Sequence, residues 1–301
     1  MKAWTFDELY GRDGQFLDGL DQRDEAFVGE VPPNFHAWLS KPKVLKKPTK
    51  NQIGRPKRSP RLKRRDAKPS EVQNLARYSP VFTKQKPQRY CIKETSKGPE
   101  VWEIRWTTCW RKTHTDDLVS HQCTLIVARH VLTGEVKYFL SNRVPGRDGW
   151  TLRAMLRIAF GRWQIEDCFR EAKEELGLDH FECRGWRCIH RHLYVTILSG
   201  LFCARVRQKL SPSKQVISGE LLTIEPVRRA ANAFIESMNL PPKARKSRYE
   251  QELTNQQYYA RRNATAAKSH RKKRMKRLKE IGIDPDRIKS VTPRLFRRNC
   301  G

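Results

Sequence analysis

The chain has 301 residues, enough for one large domain or two ordinary ones. Lys and Arg number 62 against 32 Asp and Glu, a formal net charge of +30 that points to a polyanionic partner, because each phosphate neutralised releases condensed counterions. Charge alone does not separate DNA from RNA, and a hydrophobic fraction of 38% leaves some segments outside any core.

Residues 1–40 read as compact structure. Ala3 to Phe6 is a short apolar strand ending at Asp7. A glycine-bearing loop follows, and Phe16, Leu17 and Leu20 mark one or two turns of amphipathic helix. The start, Met1 to Phe6 running straight into Asp7 and Glu8, does not resemble a signal peptide. Residues 41–84 read as a basic linker. Within it, 41–68 holds 13 Lys or Arg and four Pro among 28 residues, with Asp66 its only acid. So little apolar surface does not offset the entropy of ordering, and a flexible basic arm is expected.

Residues 85–142 change to strands, read as a β-rich insertion together with a core strand. Trp102, Ile104 and Trp106 alternate with Glu103 and Arg105, the period of a half-buried strand. Trp102, Trp106 and Trp110 are expected in the core rather than stacked on bases. Cys123 to Leu132 and Val136 to Leu140 flank Thr133-Gly134-Glu135, which reads as a hairpin.

Residues 143–240 are helical, with segments from Leu152, over 162–176 and over 190–209. A further short helix begins near Pro226, with Val227, Ala230, Ala231, Phe234 and Met238 on one face. The longest apolar stretch, Leu193 to Val206, is broken by Ser199, Gly200 and Arg205 and is too short to span a bilayer. Cysteines stand at 91, 109, 123, 168, 183, 188, 203 and 300 with no Cys-x-x-Cys pair, and reduced thiols in a cytosol are expected. Cys183, Cys188, His190 and His192 do not have a usual zinc spacing; core thiols and a basic helix end are the expectation. After Pro241-Pro242, residues 241–301 read as a basic tail. Its densest run is Arg271-Lys272-Lys273-Arg274-Met275-Lys276-Arg277, a solvated phosphate-binding stretch. No internal repeat is present.

The most informative segment is Arg162 to Lys173. At 3.6 residues per turn Ile165, Phe169, Ala172 and Leu176 form an apolar stripe expected to be buried. Beside it Arg162, Glu166 and Lys173 fall within about 40° of one another. A carboxylate between two cations suits a metal ligand flanked by phosphate-holding groups, though on spacing alone the pattern is more often ordinary surface decoration.

This string resembles the Y-x2-R-x3-E-x6-K signature of cut-and-paste DDE transposases of bacterial insertion sequences. Arg162, Glu166 and Lys173 match its R, E and K positions. The Tyr position falls on Ala159, with Phe160 one residue late. The continuation Glu175 to Phe181, then Arg184-Gly185-Trp186 and His190-Arg191-His192, is similar to one branch of the group. So are Arg261-Arg262-Asn263 with Ser269-His270-Arg271, and Trp4 to Gly11, which resembles the block of the second catalytic Asp. The resemblance implies an RNase H-like α/β fold in which Asp7 and Glu166 hold Mg²⁺ or Mn²⁺. It implies that Arg162 and Lys173 contact DNA; Arg170 and, by their charge, Arg271, Lys272, Lys273 and Arg274 are expected to add to that contact. The implied partners are transposon ends and target duplex, with a homodimer on DNA as an option, in a bacterial cytoplasm at the nucleoid. The implied reaction is metal-dependent end hydrolysis followed by strand transfer.

The family's first Asp lies on an earlier strand, and only six residues precede Asp7. Asp13, Asp116 and Asp117 all follow it and do not match the pattern. The expectation is therefore an N-terminally truncated transposase, incomplete for catalysis alone. The other readings are a non-catalytic basic DNA binder and an RNA-associated scaffold.

Overall fold

The computed structural model describes residues 2–45, 60–63, 68–115, 118–210 and 223–291. The chain divides into two compact units, residues 1–162 with 271–294 and residues 163–270 with 295–301.

In the first unit Ala3–Phe6 is extended, but a single parallel bridge from Trp4 to Phe27 joins it to its neighbour in place of the full strand expected. Trp4 N donates to Ala26 O, Val28 N to Trp4 O and Glu30 N to Phe6 O. Two short helices, α1 (Glu8–Gly11) and α2 (Gly14–Gln22), connect this segment to β1 (Val28–Val31). Each starts at an aspartate whose carboxylate accepts amide hydrogens that a helix start leaves open: Asp7 from Leu9 and Tyr10, Asp13 from Gln15 and Phe16. Gly11 packs so closely on β1 that a Cβ there would collide with the Glu30 carbonyl.

The chain continues through β2 (His36–Trp38), β3 (Val44–Leu45), β4 (Arg61–Leu62), β5 (Ser70–Glu71), α3 (Val72–Tyr78) and α4 (Pro80–Thr83). The segment expected as a flexible arm is ordered at its described ends, where β3 pairs with β4 in antiparallel register. Its residues 46–59 and 64–67 lie outside the described residues.

The strands β6 (Gln88–Thr95), β7 (Gly98–Arg111), β8 (Cys123–His130) and β9 (Val136–Ser141) follow, within the stretch read as β-rich. Gly134 makes the turn between β8 and β9 at φ +76°, a conformation that suits glycine. Within the sheet β9 pairs with β1 and β7 pairs with β2. The result is one eight-stranded mixed sheet, running β1-β9-β8-β7-β2-β5, with β6 also on β7 and β10 (Lys289–Ser290) parallel to β6. The fold is thus mixed α/β.

Period-two alternation gives the sheet two apolar faces. On one, Ile104, Ile126 and Phe139 pack against Met155 and Leu156 of α5 (Leu152–Ala159), whose first turn Thr151 caps by accepting from the Ala154 amide. On the other, Leu125, Val127 and Leu140 meet Leu17 and Leu20 of α2 and Phe82 of α4. Each such buried side chain contributes roughly 2 kcal/mol. Trp102 is in the core as expected, whereas Trp106 and Trp110 are only half-buried.

The second unit is helical, built from α6 (Trp163–Leu176), α7 (Trp186–Leu210), α8 (Ile224–Ser237) and the first part of α9 (Pro242–Glu280). Helix α6 lies against α7 and α8: Glu175 accepts from Arg228 Nε at 3.1 Å, and Leu176 reaches over Gly200. The stripe expected to be buried on α6 is open instead, with Ile165 and Phe169 both more than half exposed. Around α8 the expected face is split as well: Val227 is buried and Ala231 half-buried, while Ala230, Phe234 and Met238 are exposed, and the buried Ala233 lies off that face.

The basic C-terminal stretch is a 39-residue helix, not a loose tail. Pro242 fits a first helical turn, and Ala, Arg, Lys, Gln and Glu dominate the interior. Pairs such as Lys246–Glu250 and Lys276–Glu280 at i, i+4 support it. Its last turns belong to the first unit, where Leu278 is buried with Val101 and Ile283. No helix among the described residues is long and apolar enough to cross a membrane.

Candidate nucleic-acid interface

Asp7 ends the extended segment beside β1, half-buried, and both of its capping bonds fall on Oδ1 (3.1 Å from Leu9 N, 3.4 Å from Tyr10 N). Its Oδ2 is not used by the cap. Acids gather around this point. Burial pushes the Glu8 carboxyl up, and the charges of Glu30 and Asp7 add to that, while Lys137 opposes it. Lys137 Nζ holds Glu30 Oε1 at 2.9 Å. Asp13 is committed to capping α2, and Asp116 and Asp117 lie outside the described residues.

Glu166 is exposed on α6, and Lys173 is exposed seven residues later, two turns along nearly the same side. Both belong to the second unit, whereas Arg162 is the last residue of the first part of the other and lies in a 3-10 turn, not in the helix expected to carry it. Arg170 is already engaged: its guanidinium donates to Asp167 Oδ1 at 2.9 Å and Glu174 Oε2 at 3.4 Å. The Asp167 bond raises its pKa.

The run at 271–274 separates in the same way. Arg271 pairs with Glu94 at 2.6 Å, and Arg274 donates to the Gly98 carbonyl at 3.1 Å. Those two arginines hold the helix end on the β6–β7 turn. Lys272 and Lys273 are exposed between them, facing solvent as phosphate ligands require.

A two-ion phosphoryl-transfer centre needs several acidic ligands held together. Among the described residues no three of His, Cys, Asp and Glu group as a metal site. Asp7 belongs to the first unit and Glu166 to the second.

Cys183 and Cys188 form a disulfide with Cα atoms 6.2 Å apart, correcting the expectation of reduced thiols at these two positions. The intervening Arg-Gly-Trp-Arg turn brings them within the usual span. Cys91, Cys109, Cys123 and Cys203 are buried free thiols, and Cys168 is an exposed one. Sequence reasoning expected a basic helix end after this turn but missed the exposed aromatic residues beside it. Their signal was present in Trp186, His190 and Tyr194 at four-residue spacing, which reads as core until exposure is known. Comparison with protein-family models and with curated proteins finds no match to the chain.

Proposed function

We propose that this chain handles double-stranded DNA as a polypeptide of the DDE transposase type, acting by binding. The observation that carries the reading is the stretch Trp4–Asp7. It runs parallel to β1 through the α1–α2 crossover and ends in a carboxylate at its C-terminal end, where α/β sheets present ligand groups. That connection is the kind an RNase H-like core uses, and the charge of +30 supplies the matching affinity for phosphates.

In this proposal Glu166 is the counterpart of the third catalytic acid, and Arg162 and Lys173 contact DNA beside it; these roles rest on the resemblance. Exposed Lys272 and Lys273 add nonspecific affinity. Mg²⁺- or Mn²⁺-dependent cleavage and strand transfer, transposon ends as substrate, pairing of two copies and a bacterial cytoplasmic setting belong to the same proposal. Asp7 and Glu166 are two of the acids such chemistry would use, and duplex binding is the part of the proposal put to test first.

Competition gel shifts test this. At one ionic strength, labelled duplex DNA is challenged with unlabelled duplex or with structured RNA. The expected result is that duplex competes better; preferential displacement by RNA would favour the basic RNA scaffold instead.

A further inference from the structure

Helix α7 opens with three rings one turn apart. The Trp186 side chain is 75% exposed, and its ring centroid lies 4.0 Å from that of His190. His190 lies 6.0 Å from Tyr194, which is 62% exposed. Spaced i, i+4 and i+8, the three share one side of the helix. Arg184, Arg187 and Arg191 are all exposed next to them, and no ion pair within the described residues takes up any of the three. The Cys183–Cys188 disulfide closes the turn that bears Arg184 and Trp186.

An indole left open to water at a helix start forgoes most of the burial that tryptophan normally contributes. A surrounding ring of cations makes an apolar protein partner a poor match for it, because docking such a partner would strip water from three unpaired charges. A nucleobase flanked by phosphates matches both features: the base offers a π-face to the indole, and the phosphates meet the guanidinium groups. A duplex keeps its base faces stacked inside, so the base must come from an unpaired strand.

We propose that the Trp186–His190–Tyr194 ladder is a stacking platform for unpaired bases of a DNA strand, with Arg184, Arg187 and Arg191 holding the neighbouring phosphates. This rests on DNA being the partner and names the state of the strand that this helix takes.

The test is fluorescence anisotropy with a labelled oligothymidylate and, separately, a labelled blunt duplex of equal length. Trp186→Ala is expected to weaken oligothymidylate binding about tenfold, the range of one lost base–aromatic stack, with a change under about twofold for duplex. Tyr194→Ala moves the same way, and Trp186→Phe restores most of the affinity because a ring remains. Equal losses on both probes, or none on either, would overturn the platform while duplex binding stands. Failure of the unaltered protein to bind either probe overturns the platform and the proposed function together.

Discussion

Arg111 Nη1 donates to Asp18 Oδ1 at 2.6 Å with both side chains buried, joining the end of β7 to α2 across 93 residues of sequence. Its other terminal nitrogen donates to Asp21 Oδ2, also at 2.6 Å, and Asp18 Oδ2 accepts from the His114 amide at 2.7 Å. Burial acts against the guanidinium charge, and the charges of Asp21 and Asp18 more than offset it, so the Arg111 pKa is raised. This knot ties the crossover that carries Asp7 to the long strand at the centre of the sheet.

Breaking the knot from one side leaves a buried charge without its partner. Arg111→Met, which strips both Asp18 and Asp21 of their cation, is therefore expected to lower stability by about 3 kcal/mol or more, and Asp18→Leu, after which Arg111 keeps Asp21, by less. Adding Asp18→Leu to Arg111→Met should recover part of that loss, since only Asp21 is then left without its cation. Urea unfolding followed by tryptophan fluorescence measures it. A loss under about 1 kcal/mol in both single variants would show that water reaches the site.

His130 sets a pH dependence. Its Nδ1 accepts from the Thr133 amide at 3.1 Å, which requires the neutral ring, and burial lowers its pKa below the ordinary 6.5. Glu100 and Glu135 oppose that shift and Arg274 adds to it. The unfolded chain thus takes up this proton first as acid is added. The stability is fully present above pH 6.5 and declines as pH falls from there through the folded-state value. Thermal melts of the protein and of His130→Gln between pH 7 and 5 should converge toward low pH; parallel curves would contradict this.

Thiol chemistry separates the cysteines. Brief alkylation of the native protein is expected to label Cys168, which is exposed. Cys109 and Cys123 are buried, and burial raises both thiols, Cys123 to about 11, so they react only after unfolding. Cys183 and Cys188 should stay unlabelled until a reductant is added. Peptide mass spectrometry reads this directly, and labelling of Cys183 without reductant would remove the disulfide.

On α6, Lys173→Ala is expected to weaken duplex binding a few-fold, and Glu166→Gln to leave it unchanged or slightly tighter, because one repulsive charge is gone. Arg170→Ala should have less effect than Lys173→Ala, since Asp167 and Glu174 already hold that guanidinium. Filter binding at one salt concentration compares them. A larger loss for Arg170→Ala would mean that its two acids release it to DNA.

Local patterns that carry a period were legible in the sequence. The alternation through Trp102, Ile104 and Trp106 marked β7, Gly134 marked the turn to β9, and Leu17 with Leu20 marked the buried side of α2. What was illegible depends on partners far away in the chain. Nothing local says that β9 pairs with β1. The 3.6-residue stripe on α6 could not reveal its own exposure, because period reports sidedness and not what covers a side. Charge density concealed α9, whose residues favour helix even while they repel one another. Within the run at 271–274, sequence gives four equivalent cations; only the positions of Glu94 and Gly98 divide the two that hold the fold from the two that face water.

The most direct measurement of the DNA-handling claim is the dependence of duplex affinity on salt. Binding constants for one blunt duplex are taken by anisotropy across a range of NaCl concentrations, for the unaltered protein and for the Lys272→Ala/Lys273→Ala variant. The account predicts a steep linear fall of log K with log salt, and a slope about two units shallower in the variant, near one for each phosphate contact removed. A flat dependence, or a slope that the two lysines leave untouched, would contradict it.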